Sequence, residues 1–225
     1  MTGNGLLGEI SAALEPAGIL FRGMARFGES EGPILAGGGE ARSVVLLGNI
    51  GGSIWPAFSL WRSRYDGPDP LDTWSKAMIL PVARKFGATA WFPSDPPYQP
   101  FQQWAMRAEE LTPSPLGILL HPRYGLWHGY RGALGFGFEF GGAPSSAPDR
   151  DALAGGWEDA CAAACPAGAV IRDRFDVVAC RAYLRSKAGQ VTCMTEGCRA
   201  RNACPIGAEF RYPPEQLRFH MQALF

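Results

Sequence analysis

The chain has 225 residues, 47% apolar and 12% aromatic, with 21 Lys and Arg set against 21 Asp and Glu. That composition excludes a disordered chain, and the balanced charge excludes a broad electrostatic footprint for nucleic acid. No run of about 18 apolar residues exists to span a membrane, and Glu9 interrupts the first apolar run before it can serve as a secretion signal, so the expected compartment is the cytoplasm, where disulfides are rare.

Leu6, Leu7, Ile10 and Leu14 recur at helical spacing and predict a helix over 6–14, ended near Pro16 and Gly18. The Gly-rich stretch 28–40 reads as a loop. Ser43-Val44-Val45-Leu46-Leu47 predicts a buried strand. It runs into Gly48-Asn49-Ile50-Gly51-Gly52, a turn before a helix over 53–63. These glycines lack the Lys-Ser/Thr of a phosphate-binding P-loop. Asp69-Pro70 opens a further helix, with Asp as cap and Pro at the first position. Leu71, Trp74, Met78, Val82 and Phe86 carry its apolar period, and Pro81 predicts a kink. A short strand over 89–92, a Pro-rich loop over 94–100 and a helix over 101–110 follow. Strands over 117–120 and 127–140 lie close enough for a hairpin. Residues 141–151 are the clearest linker, and a last helix covers 214–224. Single strands alternating with helices give an α+β fold. The expected organisation is an α+β domain over 1–145 and a Cys-rich segment over 152–225.

The segment 127–140 reads WHGYRGALGFGFEF. At a period of two, one face carries His128, Tyr130, Gly132, Leu134, Phe136, Phe138 and Phe140 and belongs to the core. The other carries Trp127, Gly129, Arg131, Ala133, Gly135, Gly137 and Glu139. Glycine weakens a strand, so a run of it on one face points to the close approach of another body. A broad, flat ligand with Arg131 on its polar edge is one such body. Another part of the protein is the other.

All six cysteines fall between Cys161 and Cys204. Cys165-Pro166 and Cys204-Pro205 match the end of the bacterial iron–sulfur run C-x2-C-x2-C-x3-C-P. Aligned on Cys165, that run places ligands at Gly155, Glu158 and Cys161. Aligned on Cys204, it falls on Met194, Gly197 and Ala200, one residue away from Cys193 and Cys198. The failed spacings lead to the expectation of a cluster-less fold with thiols buried as small apolar residues. One surviving cluster is the first alternative. Zinc on Cys161-x3-Cys165 and Cys193-x4-Cys198 is the second.

Residues 115–134, PLGILLHPRYGLWHGYRGAL, resemble the cobalamin-processing chaperones of the MMACHC (CblC) type, which carry a similar His-Pro-Arg-aromatic-Gly-x-Trp stretch followed by Arg-Gly. Asp69-Pro70-Leu71-Asp72 and Arg211-Tyr212-Pro213-Pro214-Glu215-Gln216 are similar to two further steps of that family. Ala41-Arg42-Ser43-Val44-Val45, Cys165-Pro166, Cys180-Arg181-Ala182-Tyr183-Leu184, Gly197-Cys198 and Cys204-Pro205 are similar to epoxyqueuosine reductases, cobalamin enzymes with a ferredoxin module. The two resemblances span about 43–216 thinly, and only 115–134 is specific.

These resemblances imply a modified nitroreductase-like α+β fold, its mixed or antiparallel sheet flanked by helices, with a small ferredoxin-like C-terminal segment. They imply a cytoplasmic cobalamin-binding protein, either a chaperone or a reductive or thiol-dependent dealkylase of the upper axial ligand. The corrinoid would meet His121, Pro122, Arg123, Tyr124, Gly125, Trp127, Gly129, Arg131, Gly135 and Gly137. Electrons would come from a flavin, a flavoprotein or a thiol, and a homodimer is compatible with this type of fold. By analogy with the reductases, Cys165, Cys180 and Cys198, with Cys193 as substitute fourth thiolate, would hold a surviving iron–sulfur cluster. Cys161 and Cys204 would be left over. An iron–sulfur electron-transfer protein with one cluster is the alternative function, and a catalytically silent binding scaffold is another.

The remaining residues say less. His121 ends a strand, where its ring either meets a ligand or caps the turn. His128 and His220 read as structural, and three His without paired spacing make no His-based zinc site. Gln102 and Gln103 are read as surface residues. No G-x-S-x-G appears and no Cys has an adjacent His, so hydrolase chemistry has no support.

Overall fold

The structure is a computed structural model that describes residues 3–141, 156–171 and 174–224. The expected linker over 141–151 lies, beyond residue 141, outside the described residues. The protein is mixed α+β with a small antiparallel sheet. Its contacts divide it into two units. One comprises the residues up to Glu110 together with those from Gly129 onward to 141. The other comprises Leu111–His128 and the described residues from 156 to the end. Residues 111–128, which contain most of the motif at 115–134, therefore pack with the cysteines.

The first unit holds α1 (Gly3–Leu14), β1 (Leu20–Arg26), β2 (Ser43–Ile50), α2 (Trp55–Arg62), α3 (Pro70–Lys85), β3 (Thr89–Trp91), α4 (Phe101–Ala108) and most of β6 (His128–Phe136). Its sheet has the order β1-β2-β6-β3. β2 lies in the interior of the sheet, and every residue from Ser43 to Asn49 is buried, as its run of Val and Leu requires. β1 pairs with it antiparallel, from Leu20 opposite Gly48 to Arg26 opposite Ser43, with a bulge between Phe21 and Gly23. β3 pairs antiparallel with β6, Thr89 opposite Gly135 and Trp91 opposite Ala133. α3 runs through Pro81 as one helix. Asp69 stands at its N-cap, but its side chain makes no capping bond; it sits in the left-handed region at φ 46°, and only its carbonyl accepts from Thr73 N at 2.9 Å.

The second unit holds the two-residue strands β4 (Thr112–Pro113) and β5 (Leu119–Leu120), then α5 (Trp157–Ala164), β7 (Val170–Ile171) and β8 (Arg174–Phe175). Five helices follow: α6 (Val177–Arg185), α7 (Lys187–Val191), α8 (Cys193–Glu196), α9 (Arg199–Asn202) and α10 (Pro214–Gln222). Side chains define where the first two begin. Asp176 accepts from Ala179 N at 2.9 Å ahead of α6, and Ser186 from Gly189 N at 3.1 Å ahead of α7. Gly189 has no room for a side chain, since a Cβ there would lie 2.0 Å from Tyr183 O. The core is cut into small clusters. Leu116, Leu120 and Leu126 pack with Trp157, Cys161, Val170, Ala200 and Cys204. Trp127 packs with Tyr212 and Leu217. Leu184, Cys193 and Met221 form a third group. No helix among the described residues is long and apolar enough to cross a membrane.

Candidate functional site

The turn His121–Gly125 is closed by two backbone bonds, His121 N to Gly125 O at 2.9 Å and Gly125 N to His121 O at 2.8 Å. His121 Nδ1 accepts from Arg123 N at 3.0 Å and Tyr124 N at 3.1 Å, so this ring caps the turn. Tyr124 stacks on it with centroids 4.3 Å apart, and the His128 ring meets it edge-on at 5.9 Å. Gly125 has φ +56°, and a Cβ there would lie 1.8 Å from Ile206 O. This turn therefore lies backbone against backbone on residues 206–207 of the Cys-rich segment. Trp127 is fully buried. The Arg201 guanidinium lies 4.6 Å from both the Trp127 and the Tyr212 rings and donates through Nε to Leu126 O at 3.1 Å. The motif at 121–127 thus fastens the loop to the cysteine-bearing helices.

The ten residues expected to meet a corrinoid are divided by the structure. His121, Pro122, Arg123, Tyr124, Gly125 and Trp127 belong to the second unit; Gly129, Arg131, Gly135 and Gly137 belong to the first. On β6 the close-approaching body is the protein itself. A Cβ on Gly135 would lie 2.2 Å from the Trp91 indole and 3.1 Å from Leu35, and one on Gly137 would lie 3.4 Å from Leu35. Trp91 in turn packs on Trp104 of α4 at 5.5 Å. The opposite face is covered too, with Ile79 and Phe92 over Gly132. Phe138, expected in the core, is 47% exposed. A corrin ring does not fit over Gly135 and Gly137 while Trp91 and Leu35 occupy that space. Two cavities open in the first unit. One of about 490 Å³ lies beside Pro33, Thr89, Trp91 and Pro97, and one of about 590 Å³ lies beside Pro16, Trp61, Arg64 and Met78. Both have the size of sites for small ligands, short of a corrin with its amide arms and nucleotide tail.

The cysteines behave as two sets. Cys180, Cys193 and Cys198 pack in one cluster with Leu184 and Met221, and Cys198 also joins Cys165 against the cluster of Trp157 and Ala200. Cys165 follows α5, Cys180 lies on α6, Cys193 opens α8 and Cys198 caps α9. Chain positions spread over more than 30 residues are thereby brought together. Burial pushes the Cys180 thiol up to about 11, and the neighbouring Cys198, Cys165 and Cys193 add to the rise. Burial likewise raises Cys198, with Cys193 and Cys165 contributing, while a backbone N–H of Arg201 directed at its sulfur opposes it. Among the described residues, no three His, Cys, Asp or Glu converge tightly enough for one metal ion, which mononuclear zinc would need. A polynuclear cluster distributes its four thiolates over separate irons and asks for a wider ring. Cys165, Cys180, Cys193 and Cys198 carry the thiol donors that such a cluster takes.

Cys161 and Cys204 form the other set. Both are buried in one cluster, and the Cys204 thiol donates to Ile206 O at 3.9 Å. The two thiols act on each other's charge, which lowers Cys204 against the opposing effect of burial and raises Cys161.

One buried polar constellation left no sequence signal. Arg22 on β1 donates to Asn49 O at 2.8 Å and to both carboxylate oxygens of Glu109, at 3.0 and 3.2 Å. The Tyr130 hydroxyl donates to Glu109 Oε2. Burial raises Glu109 despite the Arg22 charge, and raises Tyr130 as well. These residues are 22, 109 and 130 in sequence, and only the sheet brings them together. They tie the end of α4 to β1 and β6.

No family model matches the chain, and no curated protein matches it.

Proposed function

We propose that this chain is an iron–sulfur redox protein, with Cys165, Cys180, Cys193 and Cys198 holding a single four-iron cluster. The observation that carries this reading is that four thiols from four separate elements lie in two apolar clusters sharing Cys198, close enough for Cys198, Cys165 and Cys193 all to act on the charge of Cys180. When bound, the cluster supplies one-electron transfer. The protein's part is to orient the thiols, keep water away and bias their charge. Leu184, Met221 and Trp157 exclude water around the ring. Arg201 directs its backbone N–H at Cys198 and brings its positive charge near, both of which favour the thiolate. The same arginine lies against the Trp127 and Tyr212 rings and donates to Leu126 O, so the 121–127 segment acts on the cluster site through it. Thiols kept protonated by burial must release their protons on metal uptake, which couples assembly to pH.

Anaerobic reconstitution with iron and sulfide tests this directly. The expected product is brown and absorbs in the visible. Cys180→Ala and Cys198→Ala lose at least about half of that absorbance, and Cys161→Ala retains it. A colourless product with all thiols still alkylatable would overturn the proposal. Titration with hydroxocobalamin is expected to leave the corrinoid spectrum unshifted; a shift in cluster-free protein would favour the corrinoid function instead.

A further inference from the structure

We propose that the cavity beside Trp61, in the first unit, is a binding site for a flat aromatic carboxylate. It opens between the end of α1, the turn at Pro16, α2 and α3, and holds about 590 Å³, room for a fused-ring body. Small residues leave that space: Ala13, Ala17 and Ala57 line it where longer side chains would close it. One wall is aromatic. Trp61 stacks on Tyr65 with centroids 4.5 Å apart and planes 26° from parallel. The Tyr65 hydroxyl donates to Pro68 O at 3.0 Å, which fixes that ring and, through it, the Trp61 indole. Trp74 and Met78 of α3 line the cavity as well, and Leu60, 64% exposed, carries the apolar lining to the surface. Ring faces favour a planar body in offset or edge-on contact, and a thioether adapts to its edge.

The charge of the ligand follows from Arg64. Among the described residues lining the cavity it alone is charged, and it is exposed. No carboxylate among the described residues pairs with it. Three carbonyls at the end of α2, whose partial charge would oppose an anion, already accept from the backbone. Ser63 N donates to Ser59 O, Arg64 N to Trp61 O and Tyr65 N to Arg62 O. A guanidinium takes a carboxylate through two parallel N–H···O bonds, so an anionic head meets Arg64 while the rings lie against Trp61 and Trp74. The site involves neither the cysteines nor the proposed cluster.

The test is calorimetric titration of the full chain with 2-naphthoate, beside the neutral 2-naphthylmethanol and the alkyl decanoate. The wild type is expected to bind 2-naphthoate about fivefold more tightly than the alcohol. That margin should vanish in Arg64→Ala and shrink at high salt. Ala57→Leu, which fills the cavity, is expected to abolish binding of both aromatic probes while circular dichroism shows the helices intact. Should that variant fail to fold, Ala13→Leu on α1 gives the same reading. Equal binding of 2-naphthoate by wild type and Arg64→Ala would overturn the anionic head. Tighter binding of decanoate than of 2-naphthoate would overturn the aromatic body. No uptake of any probe by folded wild type would overturn the site, and the iron–sulfur reading, tested by reconstitution, would be untouched.

Discussion

Arg201 connects the recognisable part of the sequence to Cys198. Its guanidinium lies against both the Trp127 and Tyr212 rings, which themselves meet edge-on at 5.5 Å, and its backbone N–H points at Cys198. Gly125 lets the turn approach close enough for this. Gly125→Ala would meet both a positive φ and the Ile206 carbonyl, costing about 1–3 kcal/mol for the strained backbone alone. Urea unfolding should show this as a lower midpoint, with iron uptake weakened in parallel. The thiols make a second prediction. Cys180 titrates at about 9 when unfolded and about 11 in the folded protein, so the folded state binds its proton more tightly. That contribution to stability is full below about pH 9 and is lost as pH rises toward about 11. Cluster-free protein should therefore lose urea resistance across that window, and Cys180→Ala should lose less. His121 was open between ligand and cap from sequence because nothing in its neighbours fixes the direction of Nδ1; two backbone N–H groups do.

Among the elements, β6 shows most clearly what periodicity can and cannot give. Its strand character was legible from alternation, and so was the need for some body near its glycines. The identity of that body was not, because Trp91 and Leu35 come from other stretches of chain. Gly135→Leu should therefore displace Trp91 rather than block a ligand. The expected cost is about 1–3 kcal/mol of overpacking, read as a lower thermal midpoint, and Trp91→Ala in the same chain should recover part of it. No recovery would mean that something else fills the space. β1 went unread because Arg22, Gly23 and the bulge break its alternation. The long helices α1 and α3 were legible from their apolar spacing and from Pro70. The short helices α6–α9 were not, since none runs beyond nine residues and an apolar period has little length in which to show; Asp176 and Ser186 cap the first two.

At the scale of the molecule, the α+β class followed from the alternation of elements, but the division of the chain did not. Residues 111–128 leave the sheet-bearing unit and pack with the cysteines, which no composition shift at 111 or 128 announces. The spacing of the cysteines fails a ferredoxin run, which counts residues along one loop; what spacing could not show is that folding brings Cys165, Cys193 and Cys198 near Cys180 from separate elements. The measurement that bears most directly on this account is the content of iron and acid-labile sulfide in protein purified without oxygen. About four of each per chain, falling by at least about half in Cys198→Ala, is the predicted result. Wild-type protein that carries neither element after reconstitution, though folded, would contradict it.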